Sequence, residues 1–158
     1  MVSTTEFEVR TLPGGAVAYQ TFQGTIPSIE PVISSVRSWV VTMGYKPEGP
    51  VAIEIHGKPW EDPTSEFEFE VQLPVGSNAK ADPSDRVQIK AFEPTRAVVM
   101  TMHGASDIAN LSDPLGRMIE WMREHNHQPT REVVRWVEVT DPTKVSIEDQ
   151  TTELQYLI

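Results

Sequence analysis

The side chains of this chain best suited to chemistry or ligand contact are one carboxylate set among guanidinium groups, four tryptophans and four histidines. Glu132 follows Arg131 and precedes Arg135-Trp136. A carboxylate taken out of water is costly unless paired, so in a buried setting its pKa rises or it takes Arg131 or Arg135 as partner; a lipophilic cation would satisfy it equally well. The residues alone favour the plainer alternative, an exposed glutamate flanking a strand and paired locally with Arg131. Trp39, Trp121 and Trp136 offer flat faces for stacking and cation–π attraction, as does Tyr19, but core packing is the commoner use of such rings. Trp60, between Pro59 and Pro63, reads as a loop residue, and Tyr45 and Phe22 are weaker candidates. Met100, Met102, Met118 and Met122 are read as core fillers. His125-Asn126-His127 lacks the carboxylate spacing of zinc motifs and reads as an exposed helix end, whereas His103, beside a Thr-x-x-Gly step, is a candidate polar lining residue. No phosphate loop, nucleophile elbow or paired-carboxylate motif is present, and no metal or cofactor is expected.

The 158 residues suffice for one core, or for two small modules that must share one. There are no cysteines, which excludes disulfides and thiolate chemistry and is compatible with a reducing compartment. No apolar run reaches the roughly 18 to 20 residues of a membrane helix, and Met1–Glu6 has no basic and apolar leader pattern, so the expectation is a cytoplasmic protein without membrane contact. Net charge is −10, with ten acidic and four basic residues in 1–75 and thirteen and nine in 76–158. Both halves would repel a phosphate backbone, which argues against direct nucleic-acid binding and suits a neutral or cationic ligand.

The chain is written twice. Phe7-Glu8-Val9-Arg10 and the run Ala16 to Gly24 recur as Val87-Gln88-Ile89-Lys90 and Arg96 to Gly104, eighty positions on, with Thr-x-x-Gly closing both. Each copy then has a tryptophan-bearing helical pattern (Trp39, Trp121), a proline (Pro47, Pro129), an apolar strand, an Asp-Pro step (Asp62-Pro63, Asp141-Pro142) and an ending of one type, Glu70-Val71-Gln72-Leu73 against Glu153-Leu154-Gln155-Tyr156. We expect a single domain made of repeat 1 (6–75), a polar connector (76–86) and repeat 2 (87–158).

Alternation at Phe7 and Val9, and at Phe67, Phe69 and Val71, predicts strands with one face in a core, and places Glu66, Glu68 and Glu70 on a wet face. Ile29, Val32, Ile33, Val36, Val40 and Met43 follow helical spacing, with Ser28 as cap and Gly44 as stop; Leu111, Leu115, Met118, Ile119 and Met122 repeat the pattern, with Asp113-Pro114 as cap and first-turn proline. Each copy thus reads strand, strand, helix, strand, strand. The expected fold is α+β with antiparallel sheet, the copies packed about a pseudo-twofold axis that leaves a cleft between them.

The opening Phe7–Arg10 with Ala16–Tyr19, the turn Gly44-Tyr45-Lys46-Pro47-Glu48-Gly49-Pro50 and the ending Phe69–Val75 resemble the gyrase-inhibitor-like (GyrI-like) family, and with it the effector-binding domain of multidrug-responsive transcription activators. The resemblance spans the chain. It implies two tandem strand-helix-strand-strand (SHS2-type) modules enclosing an aromatic cavity for bulky, often cationic ligands, with Glu132 on the cavity floor, where many members carry a glutamate. Members usually have a tyrosine shortly after it, where this chain has Arg135-Trp136. The implied function is sensing or sequestering a hydrophobic or aromatic small molecule, with Glu132, Trp39, Trp121, Tyr19, Trp136 and His103 as candidate contacts. Two alternatives stand beside it: hydrolysis of strained, cyclopropane-type electrophiles with Glu132 as acid/base, and protein interaction with a topoisomerase.

Overall fold

A computed structural model describes residues 7–104, 107–129, 133–141 and 143–158. The elements run β1 (Phe7–Leu12), β2 (Gly15–Gly24), α1 (Ile29–Thr42), β3 (Ala52–His56), β4 (Phe67–Val75), β5 (Gln88–Phe92), β6 (Thr95–His103), α2 (Ser112–Glu124), β7 (Val134–Glu138) and β8 (Thr151–Leu157). This is a sheet-dominated α+β fold. The eight strands form one antiparallel sheet ordered β1-β6-β8-β7-β3-β4-β2-β5. The order is unchanged when read from the other edge with β1–β4 exchanged for β5–β8. The opening strand of each half pairs into the other half, β1 with β6 and β5 with β2. The halves meet at β3 and β7, where Ile53 lies opposite Trp136 and Glu54 opposite Arg135.

Both helices end alike. The amide of Tyr45 donates to the Val40 carbonyl after Gly44 turns to φ +78°, and the amide of His127 donates to the Met122 carbonyl after Asn126 turns to φ +58°. These are left-handed caps, a conformation that glycine and asparagine tolerate best. Gly44 stops α1 as its type predicts. Ser28 stands at the N-cap of α1, but its hydroxyl bonds back to the Thr25 carbonyl, and α2 starts at Ser112 with Asp113 already in its first turn.

One sheet face carries the apolar core. Val36, Val40, Phe69, Val71, Leu73, Met118 and Leu154 are at most 1% exposed and form one cluster spanning both helices and both halves of the sheet. The other face corrects the expected wet glutamate row. Glu66 and Glu68 are exposed, but Glu70 is only 7% exposed, and Glu54, Gln72, Arg135 and Gln155 are buried beside it.

These residues form a continuous seam. Arg10 donates to both oxygens of Glu153 at 2.9 Å, and the Gln155 amide donates to Glu153 at 2.7 Å. The Arg135 guanidinium donates to the amide oxygens of Gln155 at 2.6 Å and Gln72 at 3.0 Å. The Gln72 amide nitrogen in turn serves Glu54 at 3.0 Å and Glu70 at 2.6 Å, and Lys90 closes the row on Glu70 at 2.7 Å. Burial would raise the Glu70 pKa, but the hydrogen bonds from Lys90, Gln72 and Thr21 outweigh it and hold the carboxyl below its ordinary range.

The sheet is curled over this seam. The Arg135 guanidinium lies 4.5 Å from the Phe92 ring centroid. Yet β5 and β7 are separated by β3, β4 and β2, four inter-strand steps that would span roughly 19 Å in a flat sheet. Twist and curl therefore bring the edge strand over the centre, which is how a face with no helix on it becomes buried.

Two outcomes follow. Phe69→Ala removes a fully buried ring and should cost about 3–5 kcal/mol, read as a lower urea midpoint with an unchanged slope. Glu70→Gln should be less stable than the wild type at neutral pH. Because the folded-state pKa of Glu70 is depressed, that gap is present above the unfolded carboxylate pKa and should close as pH falls below about 4.5, as measured by denaturation across pH 3–7.

Candidate functional site

Helix α1 packs on β2 and β4, and α2 packs on β6. The central strands β3 and β7 lie between these supports, and their helix-side residues floor a cleft. Alternation along β7 sends Val134, Trp136 and Glu138 to this face and Arg135 to the polar seam.

The cleft holds two cavities. The larger, of about 780 Å³, is walled by Ser112, Leu115, Gly116, Ile119, Met122 and Arg123 of α2 and by Asn126–Pro129 beyond it. Gly57, Lys58, Trp60 and Glu61, from the loop after β3, face them, and Val134 and Tyr156 line it from the sheet. Apolar side chains mixed with a few charged and polar ones, at this size, match the usual makeup of small-molecule pockets, which run from roughly 300 to 1,000 Å³. Ile119 is 42% exposed, an apolar side chain presented to the opening and not packed away.

The smaller cavity, of about 340 Å³, lies toward the start of α1. Ile26, Ile29, Ile33, Ile53 and Ile108 line it with Trp136, and its polar contributors include Glu30, Asp107, Glu138, Thr140 and Thr152. Trp136 is 6% exposed, so its ring is almost wholly in the packed floor. Burial pushes the Glu138 carboxyl above its ordinary pKa, Glu30 and Asp141 add to that push, and Arg37 acts against it.

The candidate residues are dispersed. Trp39 lies 6.0 Å from the Tyr45 ring and its indole N–H donates to Asp85 at 3.3 Å. Trp121 stacks on His125 at 4.2 Å and on His127 at 5.8 Å, so the two histidines form an aromatic cap at the end of α2. Tyr19 receives the Lys90 ammonium 4.2 Å from its ring centroid. His103 is exposed, 3.5 Å from the Thr151 hydroxyl. None of these four lines either cavity, whereas Trp136 lines the smaller one. Glu132, Arg131 and Pro142 lie outside the described residues. Arg135, the other partner considered for Glu132, has its guanidinium on Gln72 and Gln155. Among the described residues no group of three or more acidic or histidine side chains is placed to hold a metal, and no helix is long and apolar enough to cross a membrane.

The family model of the GyrI-like small molecule binding domain matches residues 3–76. That match covers just under half of the chain, from its start to the end of β4. Its fold is shared over nearly the whole length with the EcmrR C-terminal domain, at a TM-score of 0.77 and 15% identity, covering 96% of this chain and 95% of that one. In the EcmrR–DNA complex this chain spans 56% of the length of EcmrR, at a TM-score of 0.78 and 15% identity over 95% of its own residues. A hydrolase from Listeria innocua is similar at a TM-score of 0.68 and 15% identity, covering 96% and 90% of the two chains. SAV2435 bound to tetraphenylphosphonium is similar at 0.56 and 11%, covering 97% and 93%. At such identities the likeness is one of fold alone. Comparison with curated proteins finds no match.

Sequence reading left several lining residues unassigned: Lys58, Glu61, Arg123 and, in the smaller cavity, Glu138. For Glu138 a signal existed, since it shares the period-2 face of Val134 and Trp136, where an acid is out of place. Glu138→Gln removes a carboxylate whose charging is disfavoured in the fold. The variant should therefore be more stable than the wild type at pH 7, and the advantage should vanish as pH falls below the unfolded carboxylate range near 4.5, in thermal melts across that window.

Proposed function

We propose that this chain is an effector-type domain that binds a bulky aromatic, cationic small molecule in the larger cavity of the cleft, with Glu132 as its anionic contact. The observation that carries the reading is the cavity itself: about 780 Å³, with Trp60, Ile119, Leu115 and Met122 among its lining, in a chain of which residues 3–76 match a small-molecule-binding family. Glu132 falls in sequence between Pro129 and Val134, both of which line that cavity. The ligand of the similarly folded SAV2435, tetraphenylphosphonium, has the bulk and charge this reading calls for. A lipophilic cation would meet aromatic and aliphatic walls, with Glu132 joining Glu61 to offset Lys58 and Arg123 of the lining.

The same reading takes the chain as one domain of two tandem SHS2-type modules, residues 6–75 and 87–158 joined by 76–86, related by a pseudo-twofold axis at the β3–β7 pair. The edge-to-edge equivalence of the strand order and the matching helix caps support it. Under this arrangement the cleft is the seam between the modules.

The test is a fluorescence or calorimetric titration with tetraphenylphosphonium and rhodamine 6G. Saturable one-to-one binding is expected, weakened about tenfold or more by Glu132→Gln, which is roughly 1.4 kcal/mol or above, and by Trp60→Ala. Absence of binding to the wild type would overturn the cation-binding reading, and equal binding by Glu132→Gln would remove the anchor. Turnover of a cyclopropane-containing electrophile, lost in Glu132→Gln, would instead make the chain a hydrolase with Glu132 as acid/base.

A further inference from the structure

The smaller cavity differs from the larger one in the charges around it. Lys58 and Arg123 stand among the residues lining the larger cavity, with Glu61 as the acid among those described. Among the described residues the smaller cavity is lined by three acids, Glu30, Asp107 and Glu138, and by no lysine or arginine. Asp107 is already engaged, its carboxylate accepting the Ala109 amide at 3.0 Å. Glu30 is exposed on the first turn of α1. Glu138 is different: it is partly buried, it sits on the apolar face of β7 two residues from Trp136, and among the described residues no hydrogen bond or ion pair reaches its carboxylate. Arg37 acts on it through space, from beyond the lining.

Three properties then converge at one place. There is room, about 340 Å³. There is a wall of isoleucines and one tryptophan, which favours an apolar body and presents an aromatic surface. Beside it is a partly buried carboxylate that, among the described residues, has the distant Arg37 but no direct hydrogen bond or ion pair, which is costly for the free protein and is relieved by any cation that can enter an apolar pocket. A hydrated metal ion would lose its shell against isoleucine, and an anion would meet only repulsion. A compact organic cation, with its charge spread over methyl or aryl groups, satisfies all three.

We propose that the smaller cavity is a second, separate binding site for a compact aryl- or alkylammonium cation, with the Trp136 side as its aromatic wall and Glu138 as its counter-ion. It is independent of the larger cavity and of Glu132. The volume is less than half that of the larger cavity, so the site selects small cations and excludes ligands of the size of tetraphenylphosphonium.

The experiment is an amide and indole N–H NMR titration of the full chain with phenyltrimethylammonium, alongside tert-butylbenzene, its neutral isostere. Saturable shifts are expected at the Trp136 indole and the amides of Ile53, Ile108 and Glu138, with Gly57, Trp60 and Ile119 unmoved. The neutral isostere should bind at least about tenfold more weakly, and Glu138→Gln, whose own spectrum reports that it folds, should weaken the cation by a similar factor. Shifts confined to Gly57, Trp60 and Ile119, equal binding of cation and isostere, or equal affinity in Glu138→Gln would each overturn the proposal. Because the readout is residue by residue, the outcome is unaffected by whether the larger cavity takes tetraphenylphosphonium.

Discussion

The fold depends on one buried cation. The guanidinium of Arg135 is held between the side-chain oxygens of Gln155 and Gln72, over the ring of Phe92, on a strand at the middle of the sheet. Burial pulls its pKa down from the ordinary value, while the fields of Glu54, Glu153 and Glu70 act to restore it. Removing a charge from water costs several kcal/mol, recovered only where geometry and hydrogen bonding are good. Two glutamines supply that geometry without a direct ion pair: each amide accepts from the guanidinium with its oxygen and passes its N–H to a carboxylate, Glu153 on one side and Glu54 and Glu70 on the other. The Arg135 Nε is left without a partner, a local cost within an otherwise satisfied seam.

That pin has a consequence on the opposite face. Residues adjacent in a strand point to opposite sides, so fixing Arg135 also fixes Trp136 and Val134, the floor of the two cavities. The walls are built differently. In the larger cavity they come from α2 along its length, from the chain beyond it and from the loop after β3, the latter two being connections of the kind that move most easily. The floor is thus tied to the polar seam, while part of the wall is loop.

Much of this was legible in the sequence. The helices around Trp39 and Trp121, the stop at Gly44 and the alternating strands all follow from local pattern, because helix and strand periods and glycine's conformational freedom act within a few residues. The fate of Glu70 was not legible. Alternation tells which residues share a face, and it separated Glu70 from Phe69 and Val71, but whether that second face meets water depends on the curl that brings Phe92 to Arg135 across three intervening strands. The tryptophans pose the same difficulty. Trp39 and Trp121 occupy matching helix positions, yet their rings pair with Tyr45 and with His125 and His127, contacts set by the caps, so equivalence in sequence did not translate into facing cavity walls.

The register also explains why the two central strands differ where they meet. Ala52 pairs with Gln72 and Arg135 pairs with Gln155, so alanine and arginine occupy corresponding stations, as do Ile53 and Trp136, which face each other directly. An arginine at both stations would place two buried guanidinium groups in one seam whose two glutamine oxygens are already taken by the first, and like charges there would repel with little solvent to screen them. A tryptophan at both would set two indoles side by side on the floor and fill the space that Ile53 leaves open. One cation suffices to tie both glutamines, and one indole suffices to line the cleft. The asymmetry at Ala52 and Ile53 against Arg135 and Trp136 is thus what allows a symmetric strand order to hold together on one face and remain hollow on the other.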